Sequence, residues 1–153
     1  ARKIADEAHK RNIEVLLDAA HSFAHIDFKF PDTGCDYAGT SLHKWLCAPF
    51  GTGLMHIRPE HISKTWPLFP TDKPQSGDIR KFEALGTRSF APEQAIGQAV
   101  DFHLAIGAGR KQERLHYLKK YWCEAVSKNP RAGAASFRCP CLPASCWRCS
   151  KLG

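Results

Sequence analysis

Asp18-Ala19-Ala20-His21 and, further on, Ser41-Leu42-His43-Lys44-Trp45 are the stretches on which the reading of this chain turns. The first closes the apolar run Ile13-Glu14-Val15-Leu16-Leu17, short and bounded by polar residues, as a buried strand is. The second closes Asp36-Tyr37-Ala38-Gly39-Thr40-Ser41, which reads as a second short strand. Ligands of open α/β sheets bind outside the carboxyl ends of parallel strands. Asp18 and Lys44 therefore fall where a ligand would be met. Asp18 also suits a simple turn cap, since aspartate readily bonds the backbone two residues on.

Working outward, residues 1 to 11 have a helical pattern, with Ile4, Ala5 and Ala8 on one face and charges on the other. A helix leading straight into a strand is the second half of an α/β unit. The chain is thus expected to be truncated, with an open sheet edge, an uncovered apolar face and poor solubility. Residues 19 to 35 read as loop, broken at His21-Ser22, Pro31-Asp32 and Gly34. After Lys44, Pro49-Phe50-Gly51-Thr52-Gly53 makes a glycine-rich turn into a third strand, Leu54 to Ile57. It lacks the Gly-Lys-Ser/Thr ending of a nucleotide-binding phosphate loop. A short helical or irregular piece begins at Pro59-Glu60. Residues 66 to 90 are loop-rich and end in Leu85-Gly86-Thr87-Arg88. A long helix is expected from Pro92, with Ala95, Ile96, Ala99, His103 and Ile106 at helical spacing. Gly107 and Gly109 interrupt it, and a second helix, 110 to 127, carries Leu115, Leu118, Trp122 and Val126. Asn129-Pro130 ends that helix.

The 153 residues suffice for one domain with a core, and 43% hydrophobic with 24% charged residues is a globular composition. No run approaches the roughly 18 apolar residues of a membrane span, and the charged start is no secretory signal. The net charge of +7 is uneven. Arg131, Arg138, Arg148 and Lys151 stand in residues 129 to 153 without an acid, leaving +3 for the rest. That argues against a nucleic-acid partner, which needs a basic face on the fold itself. Cys35, Cys47 and Cys123 are scattered, which suits a reducing cytoplasm. Cys139, Cys141, Cys146 and Cys149 crowd the end. Four thiolates can close a zinc site, but Cys139-Pro140-Cys141 has too short a spacer, so no metal is expected. The division expected is 1–128 as a partial large domain and 129–153 as an aberrant or disordered Cys-rich tail.

The residue types around Lys44 match the needs of pyridoxal 5'-phosphate. That cofactor takes a lysine amine for its aldehyde, forming an imine, and a carboxylate beside its pyridine nitrogen. Its phosphate takes hydroxyls, backbone N–H groups and cations. Lys44, Asp18 and the pair Ser41 and His43 supply these. With Asp36-Tyr37, Pro49 to Gly53 and Gly86-Thr87 added, the pattern resembles the class V aminotransferase family of fold type I pyridoxal-phosphate enzymes. The wording His43-Lys44-Trp45-Leu46-Cys47-Ala48-Pro49 is similar to the isopenicillin N epimerase-like branch. The resemblance spans residues 1 to 127.

The resemblance implies an α/β fold, part of the large domain of such a transferase. It implies that Lys44 forms the imine and moves the substrate α-proton, and that Asp18 pairs with the ring nitrogen. His21, where many relatives have Gln, would stand by the phenolic oxygen. Ser41 and His43 would bind the phosphate, and Thr87 would reach the phosphate of a neighbouring subunit, which implies a homodimer and an amino-acid substrate. Plainer roles stay open: His21 as a turn histidine, Ser41 as a cap, Thr87 as a loop residue. Arg88 is expected to make a plain surface contact, with a substrate carboxylate as the alternative, and His25, His56 and His61 to be structural. Epimerisation, transamination, desulfuration and elimination all begin with the same imine. The wording near Trp45 favours an epimerase- or aminotransferase-like outcome over desulfuration, and the isolated fragment is expected to be inactive. The alternative is an inactive truncated paralogue with a vestigial site.

Overall fold

A computed structural model describes residues 1–127 of the chain. The terminal cysteines, the zinc reading and the Asn129-Pro130 stop lie outside those residues. Ala1–Leu115 form one compact unit, and a second begins at His116.

Helix α1 (Arg2–His9) buries Ala5 completely. Its outer face is laced by the pairs Arg2–Asp6 at 2.9 Å and Lys10–Glu7 at 2.6 Å. Ile4, expected on the buried face, is 70% exposed. The chain turns at Asn12, whose φ of 57° lies in the left-handed region that asparagine tolerates, and enters β1 (Leu16–Asp18). This strand starts later than the sequence pattern indicates and is not buried: Ile13 and Leu16 are largely exposed. The reason is position. Among the described residues β1 pairs on one side only, so it is an edge strand with no layer over its apolar side chains.

A single helical turn, α2 (Phe30–Thr33), interrupts the expected loop. It has Pro31 in its first turn and closes on Gly34 at φ 72°. A Cβ on Gly34 would lie 2.9 Å from Arg2 Cδ, so glycine meets two needs there. Strands β2 (Tyr37–Ser41) and β3 (Gly53–Ile57) follow as expected, and the sheet order is β1-β2-β3. β1 runs parallel to β2, with Asp18 opposite Gly39. β3 runs antiparallel, with Ser41 opposite Gly53 and Tyr37 opposite Ile57. The central strand alternates as a strand between two environments should: Ala38 and Thr40 are buried, their neighbours half-buried.

Beyond β3 come α3 (Pro59–Ile62), a 3-10 turn (Ile79–Phe82), α4 (Ala91–Gln94), α5 (Ile96–Ile106) and α6 (Ala108–Ser127). Lys81 of the 3-10 turn is buried, and its ammonium donates to the carbonyls of Ile62 and Pro74, fastening the loop-rich segment. α5 turns the expected face inward, with Ala99 buried and Ala95, Ile96, His103 and Ile106 half-buried, while Phe102 and Leu104 are exposed. The core is Leu42, Leu46, Ala48 and Ala99, with Phe23, Ala24 and Ile96 packed on it. It is small, and among the described residues no large side chain is fully buried. Of the apolar stripe expected on α6, Leu118 and Trp122 are exposed, while Leu115 and Val126 are half-buried. No described helix is long and apolar enough to cross a membrane.

Candidate functional site

The core sits directly beneath the turn that carries Lys44. Leu42, Leu46 and Ala48 point into it, which forces the intervening residues outward. The turn closes through the Cys47 N–H to Lys44 O at 3.2 Å and the Ala48 N–H to Leu42 O at 3.1 Å. Its return uses two left-handed residues, Cys47 at φ 63° and Gly51 at φ 84°. Gly51 adopts this freely, whereas Cys47 holds it against its preference. Gly53, expected to bend the chain, is an ordinary strand residue; a Cβ there would lie 3.2 Å from Thr40 O.

β1 meets this turn from the side. The Ala19 N–H donates to Gly39 O at 2.8 Å, and the Thr40 hydroxyl donates to Ala19 O at 3.3 Å. Asp18 Oδ1 accepts from the Ala20 N–H at 2.9 Å, bending the chain into the loop that holds His21. The turn-cap reading of Asp18 is thus correct as far as one oxygen goes. His21 Nε2 then lies 3.2 Å from Lys44 Nζ.

Two braces hold this pair. His25 stacks on Trp45, with centroids 4.0 Å apart and planes 23° from parallel, and its Nδ1–H donates to His21 O at 2.9 Å. That bond places a proton on Nδ1, because a carbonyl only accepts. The second brace comes from α6. The Lys111 ammonium donates to Trp45 O, and the Asp27 N–H donates to Gln112 Oε1 at 2.8 Å. His25 fills the structural role expected of it, whereas Lys111 and Gln112 escaped the sequence reading, and no local signal marks them: Lys111 and Trp45 are 66 positions apart. His43 tilts on Phe50 at 5.3 Å, and its Nδ1 is buried with no partner among the described residues.

Of the residues singled out in the sequence, His21 and Lys44 touch. Asp18 begins the His21 loop, and Ser41 and His43 belong to the Lys44 turn. Thr87 is exposed in the loop before α4, beside Gly86 at φ 71°. Arg88 pairs with Glu93 at 2.8 Å and lies over the Phe90 ring, the plain contact expected of it. His56 stacks on Phe30 at 5.4 Å.

A second polar cluster occupies the opposite end of the strands. Asp36, just before β2, has a side chain only 4% exposed. It accepts from His9 Nε2 at 2.8 Å, the Val15 N–H at 2.7 Å and His61 Nε2 at 2.9 Å, with Arg58 at 3.6 Å. Burial pushes its carboxyl up, but the bonds from His9, the Val15 N–H and His61 together outweigh that and hold it well below the usual carboxylate range. Glu14 extends the cluster, accepting from Lys64 and from the Tyr37 hydroxyl at 2.8 Å. Among the described residues no group of three or more His, Cys, Asp or Glu is arranged to hold a metal ion.

Residues 1–138 match the family model described as Aminotransferase class-V. An isopenicillin N epimerase of Amycolatopsis lactamdurans is 31% identical over 144 residues, covering 83% of this chain and 36% of that protein. A probable cysteine desulfurase of Synechocystis sp. is 33% identical over 132 residues, covering 77% of this chain and 31% of that protein. Among solved structures, an apo cysteine desulfurase from Thermococcus onnurineus NA1 superposes with a TM-score of 0.69 at 22% identity, over 82% of this chain and 34% of that one. The likeness at that identity is one of fold. The chain spans 31% to 36% of the length of these relatives.

Proposed function

The chain belongs to the aminotransferase class-V family, and from that premise we propose that it forms part of the large domain of a pyridoxal-phosphate enzyme acting on an amino acid. The observation that carries this reading is the 3.2 Å approach of Lys44 Nζ to His21 Nε2 at the carboxyl ends of two parallel strands. The donor set fits the cofactor. Lys44 supplies the amine, and Asp18 is an exposed carboxylate with one oxygen uncommitted to its own turn. The orphaned Nδ1 of His43 stands two residues from the Ser41 hydroxyl.

Bound pyridoxal phosphate supplies an electron sink for a carbanion at the substrate α-carbon. Lys44 would hold the cofactor and then take and return the α-proton. His21 would donate to the phenolic oxygen and, through its contact with Lys44, would orient the amine. Asp18 would keep the ring nitrogen protonated, since a nearby carboxylate favours the cationic form. Ser41 and His43 would hold the phosphate. Thr87 would reach the phosphate of a neighbouring subunit, which would make the working form a homodimer. Relatives named as epimerase and as desulfurase match at similar identity. The proposal therefore stops at α-proton removal, the step these chemistries share.

The test is to mix the full chain with pyridoxal 5'-phosphate and record its absorbance. A band in the imine region that is lost in Lys44→Ala is expected. No band in the unaltered chain would favour a vestigial site.

A further inference from the structure

Lys111 stands where a cation is least welcome. It lies in the first turns of α6, which begins at Ala108, and no acidic residue stands in the opening turn to compensate. The amino end of a helix carries partial positive charge, so a lysine there is disfavoured unless it is used. Here it is used: its ammonium reaches out of the helix to the carbonyl of Trp45, the residue after Lys44. Next to it, Gln112 accepts the N–H of Asp27, at the far end of the His21 loop. Consecutive residues of α6 therefore grip both segments that bring Lys44 and His21 together.

The turn has a reason to need a grip. Cys47, two residues past Trp45, is a non-glycine residue at φ 63°. A side chain persists there only when its surroundings over-determine the conformation. The buried Leu46 and Ala48 fix the turn from below, while the Lys111 bond fixes the Trp45 carbonyl, and so the peptide plane leading to Leu46.

We propose that Lys111 is a positioning residue, clamping the Trp45 carbonyl so that the Lys44 amine stays opposite His21. This rests on Lys44 being the cofactor lysine, and it adds a part to that site from outside the motif that identifies it. A charged donor is suited to the task, because hydrogen bonds to charged groups are stronger than neutral ones.

The experiment compares the full chain with its K111M and K111R variants by amide hydrogen exchange. Cofactor capture is read separately, as the fraction of pyridoxal phosphate fixed on Lys44 by borohydride and located by peptide mass. In K111M the Cys47 and Ala48 amides should lose about tenfold in protection, the order expected for one charge-assisted bond. The β2–β3 ladder should be unchanged, and capture at Lys44 should fall. K111R, which keeps a cationic donor, should restore both. Unchanged protection in K111M overturns the proposal. So does K111R behaving like K111M, or a loss spread over the whole ladder, which would make Lys111 a general stabiliser. Absence of capture in the unaltered chain would defeat the cofactor reading and leave the exchange comparison to judge the clamp.

Discussion

The two ends of the β1–β2 pair use the same side-chain types to opposite effect. At the amino ends Asp36 is buried and spends both oxygens on imidazoles and a backbone N–H, with a guanidinium close by. At the carboxyl ends Asp18 is exposed and spends one oxygen on its own turn, and Lys44 meets one imidazole. The first end ties α1, β1, β2 and α3 together. The second leaves polar atoms uncommitted above a small core. A perturbed titration alone points to Asp36, but ion-pair networks that only hold structure also shift pKa values. Saturation separates them better: a charge with every lone pair taken has nothing left to offer a ligand.

The sharpest way to break this contrast is at Asp36. Asp36→Asn leaves two imidazole donors competing for one neutral carbonyl, and should cost about 3 kcal/mol, as removal of one partner from a buried ionic group does. Lys44→Ala should stay within about 0.5 kcal/mol, the range of ordinary surface changes. Denaturant midpoints measure both, and equal effects would erase the distinction. The same carboxylate gives a pH signature. Its folded pKa lies below its ordinary value, so its contribution is fully present above about pH 4 and is lost as pH falls through the folded value. Asp36→Asn should remove that part of the acid sensitivity.

Leu46→Ala is the next largest. It empties space beneath the lysine turn and should cost about 2 kcal/mol, at the low end for a leucine because the core is thin and can collapse. The smallest effect concerns His103. Burial, and then the charge of Lys111, hold its imidazole below the ordinary value, with Asp27 opposing. Its contribution is therefore present above the ordinary value near 6.5 and declines as pH falls through that value toward the folded one. Lys111→Met should move the ring's titration upward, measurable by proton NMR.

Much of this was legible in the sequence. β2 and β3 announce themselves by short runs between turn residues, and the outward position of Lys44 follows from Leu42 and Leu46 being apolar. The inward face of α5 was legible because one helix carries its own period. What failed was anything set by a distant partner. The exposure of Leu16 depends on what lies beside β1, which residues 13 to 17 do not encode. His9 and His61 reach Asp36 from 27 and 25 positions away, and neither stands in a motif. Nothing near Lys111 in the sequence marks its bond to Trp45, for the same reason. Backbone strain was equally invisible: nothing in Leu46-Cys47-Ala48 marks the middle residue as left-handed.

The antiparallel pairing of Ser41 with Gly53 makes the eleven residues between them the end of a wide hairpin as well as the seat of the lysine. One added or deleted residue there, unless looped out, would slide β3 by a step and exchange its two faces. The segment that presents the amine is thereby also the ruler that sets strand registry. Its length is therefore held as firmly as its buried residues are.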